Sequence, residues 1–342
     1  GVAAGNPISV FFNATDKGVV VTVAADGTSN ITLNPRKNIV WITSQNGSVT
    51  NISLDHCDKN GPAGCSGSNI PYEVVLASGA LTVDAGYELH IQTAKTFAPA
   101  GDVTTPKMHV AGTYTGASET LTLNGTGTTT ARPLYIDGGT FTASSNTTKF
   151  TGDGSVDVER AAAYNNLQFT PTLASTNQTY AFTTGAVTIN GSFDINPTAS
   201  TTTKTLTVNL AGDITVAASG TTTLTGTTTG ASILDLFPVA TSYNLSTGKL
   251  NVTNTGSGGT LDAGSSSSTI TLTATTSTLW TQTGTFTTGT STVIFNPDAD
   301  VTLTSNNAIT FYNLTLNPAI STAGRAYTFG TSALAINGDF LI

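Results

Sequence analysis

The chain has 342 residues and a formal net charge of -8, and only 9% of its residues are charged, against about 25% in an ordinary soluble domain. Its 70 Thr and 29 Ser supply polarity without charge, and Thr favours strands over helices. This composition excludes a mainly helical protein, and the 38% of hydrophobic residues argues against a disordered chain.

Residues 1–104 contain short apolar runs that are separated by turn signals. Asp26-Gly27, Asn46-Gly47 and Asn60-Gly61 are pairs typical of tight turns. Strands of this length and spacing predict an N-terminal antiparallel β-sandwich-like domain over residues 1–104, joined to the rest of the chain by a linker at 98–102. The predicted strands are 8–12, 19–23, 39–42, 73–76, 81–83 and 88–91.

The two cysteines, Cys57 and Cys65, flank a short loop that contains Gly and Pro. This spacing favours a disulfide that closes a surface loop in an oxidising compartment. Two alternatives are a pair of free thiols and a metal site that adds His56, Asp55 and Asp58. A metal site needs three or four converging ligands, and the sequence shows no second ligand cluster. We therefore predict the disulfide, no metal ligands and no cofactor.

The chain after residue 104 contains an internal duplication. The segment 139–142 (Gly-Thr-Phe-Thr) returns at 284–287, and the segment 187–195 returns at 334–342 around a shared Asn-Gly pair. Asn166-Leu167 and the Tyr-X-Phe segment 180–182 return between these matches in the same order. Repeats that keep their order indicate a duplicated architecture. We predict a first β-repeat copy at 105–200 and a second copy, with extra strands, at 201–342.

Within each copy, apolar residues alternate with Thr, Ser or Asn, as in the segments 269–273 and 292–296. Alternation with a period of two places one face of a strand in a core and the other in water. Short strands of this kind, separated by Gly-containing corners, form either a parallel β-solenoid or tandem β-sandwiches. The period leaves both architectures open, and the predicted fold class is all-β throughout.

The segments 259–263, 270–273, 284–296 and 310–317 resemble the Thr- and Gly-rich β-strand-repeat proteins of prokaryotic cell surfaces. The resemblance is best over residues 250–342, weaker over 119–195, and does not include 1–104. It implies a secreted, adhesin-like or fibre-like chain without assigned catalytic residues.

Other features predict an extracellular or cell-surface location. The first residues are small, as a removed leader peptide would leave them, and no apolar stretch is long enough to span a membrane. The acidic pI of about 4.6 argues against nucleic acid as a partner. Asn-X-Ser/Thr sequons predict covalent glycans at Asn13, Asn30, Asn46, Asn51, Asn124, Asn146, Asn177, Asn190, Asn244, Asn251 and Asn313.

Histidines are too few and too scattered to indicate a catalytic triad. His56, His90 and His109 are the three candidates, and none lies in a recognisable nucleophile turn. We interpret all three as solvated or locally hydrogen-bonded side chains, and we predict no catalytic residues and no enzyme.

Two groups of acidic residues carry weaker alternatives. Asp153, Asp157 and Glu159 would share one face of a strand, either as a polysaccharide-active row of carboxylates or, as we favour, as a plain polar face. Asp298 and Asp300 supply two carboxylates for calcium, without a full oxygen shell.

The candidate strands at 7–13 and 334–342 each have an apolar face that must pair within the fold or with a neighbouring sheet. Strand addition from subunit to subunit generates an open filament. The leading hypothesis is an extracellular structural subunit of a prokaryotic surface filament, pilus-like fibre or sheath, which is glycosylated and has copies of itself as partners. The alternatives are an adhesin or glycan-binding module that uses Tyr and Trp, and a polysaccharide-active β-solenoid enzyme.

Overall fold

Parallel coils stack into a β-solenoid of about 9 turns, with 49% strand and 4% helix. This confirms the all-β class and selects the solenoid from the two architectures left open for the repeats. The computed structural model describes residues 2–12, 17–26, 32–61, 69–174, 176–200, 203–256, 258–265, 267–276, 278–305, 308–318, 324–330 and 333–342.

The chain divides into two compact units. Unit 1 comprises Gly1–Gly152 with Ala161–Ala163, and unit 2 comprises Asp153–Arg160 with Tyr164–Ile342. The domain boundaries predicted after residues 104 and 200 stay predictions.

Unit 1 contains helix α1 (Asn51–Asp55), a 3₁₀ turn (Thr129–Ala131) and a series of short strands. These strands are β1 (Pro7–Phe11), β2 (Val19–Val23), β3 (Ile39–Ile42), β4 (Tyr72–Val75), β5 (Ala80–Val83), β6 (Glu88–Ile91), β7 (Thr96–Phe97), β8 (Val103–Thr105), β9 (Lys107–Val110), β10 (Thr113–Gly116), β11 (Thr120–Leu123), β12 (Leu134–Ile136), β13 (Thr140–Ala143) and β14 (Thr147–Phe150).

Three sheets organise unit 1. The first has the order β1-β2-β3-β6-β9-β12, the second β4-β5-β8-β11-β14, and the third β7-β10-β13. From β6 onward, three consecutive strands form one coil and contribute one strand to each sheet. Each strand therefore pairs with the strands of the coils before and after it.

The antiparallel sandwich predicted for residues 1–104 is wrong. Among the described strands of unit 1, β1 with β2 and β4 with β5 pair antiparallel, and the other pairs, such as β3 with β6 and β6 with β9, are parallel. Period-two alternation and Asn-Gly turns occur in both kinds of fold. Asn46-Gly47 leads from β3 towards helix α1 rather than into a hairpin partner.

Unit 2 consists of strands and a 3₁₀ turn (Pro238–Ala240). Its strands are β15 (Val156–Val158), β16 (Asn166–Phe169), β17 (Thr172–Leu173), β18 (Gln178–Phe182), β19 (Val187–Ile189), β20 (Phe193–Ile195), β21 (Thr198–Ala199), β22 (Lys204–Asn209), β23 (Ile214–Val216), β24 (Thr221–Gly226), β25 (Gly230–Asp235), β26 (Leu245–Thr247), β27 (Lys249–Asn254), β28 (Gly259–Asp262), β29 (Thr269–Leu272), β30 (Thr278–Gln282), β31 (Thr285–Thr287), β32 (Thr292–Phe295), β33 (Val301–Ser305), β34 (Ile309–Phe311), β35 (Asn313–Leu316), β36 (Tyr327–Gly330), β37 (Leu334–Ile336) and β38 (Phe340–Leu341).

Long parallel sheets build unit 2. Their orders are β15-β18-β22-β25-β28-β31, β19-β23-β26-β29-β32-β35-β38 and β16-β20-β24-β27-β30-β33-β36, and the shorter pairs are β17-β21 and β34-β37. The core lies between the sheets. In β22, Leu206 and Val208 are completely buried while Thr207 between them is half-buried on the outer face. This is the pattern that the alternation predicts.

A column of glycines marks one corner of successive coils in unit 2. A Cβ atom on Gly220 would lie 1.9 Å from the carbonyl oxygen of Gly191, and one on Gly248 would lie 2.5 Å from that of Gly220. Both distances are far below van der Waals contact. The coils therefore approach each other here at a distance that only glycine allows.

The internal duplication is present, but its two copies occupy different sheets. Residues 166–169 form β16 and residues 313–316 form β35, and β19 and β37 correspond in the same way. However, β16 pairs with β20, whereas β35 belongs to the sheet of β32 and β38. The alternating pattern suits any of the sheets equally, and each strand of the second copy lies one sheet earlier in the order in which the coil visits the sheets.

Candidate functional site

A row of four ring side chains crosses the outer face of the first sheet of unit 1. Trp41 of β3, His90 of β6, His109 of β9 and Tyr135 of β12 are register partners on successive strands. The neighbouring ring centroids are 5.7, 4.2 and 4.9 Å apart. Because adjacent strands lie about 4.8 Å apart, one ring from each coil is enough to form a continuous row. We call these four residues the ring row.

A carboxylate connects the two histidines of the ring row. Oε1 of Glu88 lies 3.0 Å from Nδ1 of His90 and 3.1 Å from Nδ1 of His109, and Nζ of Lys107 lies 2.7 Å from Oε2 of Glu88. Burial alone would raise the pKa of Glu88, but hydrogen bonds from His109, His90 and Lys107 outweigh it and hold this pKa well below its usual range. Glu88 is therefore an anion at neutral pH.

Cationic side chains lie at both ends of the ring row. Cζ of Arg36 is 4.0 Å from the ring centroid of Trp41, and Cζ of Arg132 is 4.8 Å from that of Tyr135, which are cation–π distances. Together with Lys107, three of the 12 Lys and Arg residues of the chain lie on this one face. In a protein that is poor in charge, this is a local concentration of charged and aromatic groups.

Glu88, His90 and His109 form a group with the composition of a metal site. Their ligand atoms all lie within 4.8 Å of one another, and no other group of three His, Cys, Asp or Glu residues meets this condition in the described part of the chain. Two imidazoles and a carboxylate are ligands that Zn²⁺ uses.

Local hydrogen bonding of His90 and His109 is one of the two environments expected from the sequence, but their association was not predicted. The segments 88–91 (Glu-Leu-His-Ile) and 107–110 (Lys-Met-His-Val) share the order polar, apolar, His, apolar. In an antiparallel sandwich this similarity has no consequence. In a solenoid, two similar segments that are one coil apart lie on neighbouring strands, and their histidines lie side by side. The similarity of these two segments is therefore the signal that could have predicted the pair.

His56 is not part of the ring row. It is the residue that follows helix α1, and its side chain is exposed. Asp58 is buried, and its two carboxylate oxygens accept hydrogen bonds from the backbone N–H groups of Asn60 at 2.9 Å and Val74 at 2.7 Å. The carboxylate therefore stabilises a turn and the edge strand β4, and both of its oxygens are used by the protein rather than directed at a metal site. Cys57 is buried, Cys65 lies outside the described residues, and their disulfide stays a prediction.

We expect Asp58→Ala to lower the free energy of unfolding by about 1–3 kcal/mol, because it leaves the buried N–H of Val74 without an acceptor and removes the partly buried hydrogen bond from Asn60. Urea unfolding followed by far-UV circular dichroism measures this loss. Asp55→Ala is the matched control, with an expected change within about 0.5 kcal/mol. Equal effects of the two substitutions would contradict the role assigned to Asp58.

The three acidic residues Asp153, Asp157 and Glu159 do not share a strand face. Strand β15 contains only Asp157, Glu159 is buried, and Asp153 precedes the strand and accepts a hydrogen bond from the backbone N–H of Ala174 at 3.0 Å. The expectation of a common face, on which both the polar-face and the polysaccharide-active alternatives depended, is wrong because the strand is too short.

Asp298 and Asp300 are engaged by other groups of the protein. Nε of Arg325 donates to Oδ1 of Asp298 at 2.6 Å, and the backbone N–H of Ala326 donates to Oδ1 of Asp300 at 3.0 Å. Both contacts join this bend to a segment 26 and 27 residues later in the chain, which removes the geometric basis for the calcium alternative.

The sequons differ in exposure. Asn51 and Asn146 are completely buried, and Nδ2 of Asn51 donates to the carbonyl oxygen of Gly79 at 2.6 Å. A glycan on either nitrogen has no room in this fold, so these two candidates are corrected. Asn13 and Asn30 lie outside the described residues, Asn251 and Asn313 are half-buried, and the exposed candidates are Asn46, Asn124, Asn177, Asn190 and Asn244.

None of the described helices has the length and apolar character needed to cross a membrane. No protein-family model matches the chain, and neither the curated proteins nor the solved structures contain a significant match to it.

Proposed function

We propose that the protein is an extracellular structural subunit of a prokaryotic surface filament, pilus-like fibre or sheath. The observation that carries this proposal is the Thr-rich outer face of the coils in unit 2, which is poor in charge: Lys249 is the one charged residue that β24 and β27 place on it. Thr221, Thr223 and Thr225 of β24 alternate with core residues, and Asn251 and Thr253 of β27 continue this face on the next coil. Charged side chains normally prevent strand edges from associating, so a surface of this kind favours assembly.

Strand addition is the assembly mechanism that we propose. Within the described residues, β1 pairs only with β2 and β4 pairs only with β5. The outer edge of β4 is already occupied, because the Val74 N–H donates to Asp58 and the Tyr72 carbonyl oxygen accepts from the Lys59 N–H. Strand β1 therefore provides the edge along which a strand of a second molecule can hydrogen-bond. Glycans on the exposed sequons would cover the connections between strands, where these asparagines lie.

Negative-stain electron microscopy of the purified chain tests the proposal. We expect ordered polymers for the full chain and dispersed particles after removal of residues 1–13 or 334–342, because each deletion takes away a candidate strand for addition. Circular dichroism of the truncated chains confirms that they are folded. Polymers from both truncated chains would disprove strand addition, and dispersed particles from the full chain would disprove the filament proposal.

The ring row favours a second candidate function, that of an adhesin which binds anionic glycans. Aromatic and cationic side chains on one face provide stacking surfaces and charge for sugars that carry carboxylate or sulfate groups. Binding to an immobilised uronate polymer should weaken in Trp41→Ala and Tyr135→Ala, while Tyr243→Ala in unit 2 serves as the control. Equal binding by all of these variants would remove this candidate.

A further inference from the structure

We propose that Glu88, His90 and His109 bind a divalent transition-metal ion, with Zn²⁺ as the best match, on the outer face of unit 1. This site does not depend on filament formation or on glycan binding.

The spacing of the ligand atoms fits a tetrahedral ion. Zn–N and Zn–O bonds of about 2.0–2.1 Å place neighbouring ligand atoms of a tetrahedron about 3.3 Å apart. Oε1 of Glu88 is 3.0 Å from Nδ1 of His90 and 3.1 Å from Nδ1 of His109. Both distances are within about 0.3 Å of that value, and all three ligand atoms lie within 4.8 Å of one another.

The backbone holds the ligands in place before any ion binds. His90 and His109 are register partners in the parallel pair of β6 and β9, and Glu88 lies two residues before His90 on the same face. Leu89 and Met108, the intervening residues, are completely buried and anchor both strands. Preorganisation of this kind lowers the entropy that binding must overcome.

Asp137 is placed to orient one of the ligands. Its Oδ2 lies 3.5 Å from Nε2 of His109, on the side of the imidazole that faces away from Glu88. Metal-bound histidines commonly donate their second ring N–H to a carboxylate, which presents the other nitrogen to the metal. Nε2 of His109 is buried without a hydrogen-bond partner among the described residues, and Asp137 is the carboxylate that this N–H can reach when Nδ1 binds the ion.

Lys107 lowers the affinity of the site for a cation but does not occupy the oxygen that faces the two histidines. Its Nζ contacts Oε2 of Glu88 at 2.7 Å, so Oε1 stays directed at the two histidines. The ammonium group reduces the negative charge that an arriving cation meets. We therefore expect Lys107→Met to bind Zn²⁺ more tightly than the unmodified chain, and a weaker affinity would contradict this role.

The three side chains leave one position of a tetrahedron for water or an external ligand. A surface depression lined by Gly86, Pro106 and Gly125 adjoins Glu88 and Lys107, and all three ligand residues are partly exposed. Three protein ligands with one remaining position is the composition of an open zinc site, in contrast to a closed structural site.

Isothermal titration calorimetry of the full chain with ZnCl₂, after treatment with EDTA, tests the proposal. We expect one ion per chain with a low-micromolar dissociation constant. His109→Ala and Glu88→Gln should lose at least about 10- to 100-fold in affinity, the loss that even the outer-shell partners of metal ligands cause. His56→Ala is the matched control, because His56 is exposed and lies outside the cluster, and its affinity should be unchanged.

A second variant and a spectroscopic measurement test the proposal even if His109→Ala folds poorly. His109→Gln retains most of the side-chain volume, and Co²⁺ in the unmodified chain should give the intense visible absorption of tetrahedral coordination. The proposal is overturned if the unmodified chain does not bind Zn²⁺, if Co²⁺ gives only the weak octahedral spectrum, or if the folded cluster variants bind as tightly as the His56→Ala control.

Discussion

Trp280→Ala is expected to lower the free energy of unfolding of unit 2 by about 3–5 kcal/mol. The indole is completely buried, and it packs edge-on against Phe286 at 5.2 Å and Phe311 at 5.4 Å. Its Nε1 donates to Oε1 of Gln282 at 3.1 Å. Alanine removes these contacts, leaves a cavity in a sheet that has little freedom to collapse, and deprives a buried amide of its donor.

Trp41→Ala is the matched control, because it removes the same side chain from the outer face of unit 1. There the indole contacts His90 and Arg36, and an exposed cation–π contact contributes about 0.5–1 kcal/mol. Urea unfolding followed by circular dichroism compares the two variants. A loss for Trp41→Ala as large as that for Trp280→Ala would contradict the distinction between core and outer face.

Gly220→Ala is expected to cost about 3 kcal/mol or more, a large effect for the addition of one methyl group. The new Cβ would lie 1.9 Å from the carbonyl oxygen of Gly191 and 2.9 Å from Cγ1 of Val216. The first contact is with backbone, which cannot rotate away as a side chain can. The coils must separate at this corner, and this weakens the strand pairs on either side of it.

Gly324→Ala provides the comparison, since a Cβ atom there meets nothing within 4 Å, and its expected effect is within about 0.5 kcal/mol. Urea unfolding of the two variants is compared. A lower urea midpoint or a less cooperative transition in Gly220→Ala than in this control reports the close approach of the coils. Equal stability of the two variants would show that the corner relaxes freely.

In strands such as β29 the sequence was sufficient to predict which residues face inward, because this depends on local alternation. By contrast, all five residues of β2 are buried and both residues of β38 are exposed. The segment 269–273 forms β29 with Ile270 and Leu272 in the core, as its pattern predicts. The direction of the neighbouring strand is not a local property, since a pleated strand buries the same face with either kind of partner. For this reason Val19–Val23 was identified as a strand, while its parallel pairing with β3 was not.

The candidate site was not predicted for the same reason, because it depends on which strands are neighbours. Glu88 and His90 predict nothing by themselves, and their meeting with His109 depends on the length of the coil between β6 and β9. The alternation within β9 places His109 on the outer face, but a shift of the register by two residues would move it away from His90. The pairing of the two histidines therefore depends on the length of the coil between their strands. Neither the residue types nor their spacing within one strand predicts this pairing.

The stacking of coils has a mechanical consequence for unit 2. Register partners such as Thr221 and Lys249, or Leu250 and Trp280, are one coil apart, and each coil is held mainly by the coils on its two sides. Tension is carried by all of these interfaces at once, but an end coil has a neighbour on one side only and would detach first. Each detached coil releases about 10 nm of chain at about 3.4 Å per residue. Such a protein lengthens under load in discrete steps, and each remaining coil is a template on which the released chain can wind back.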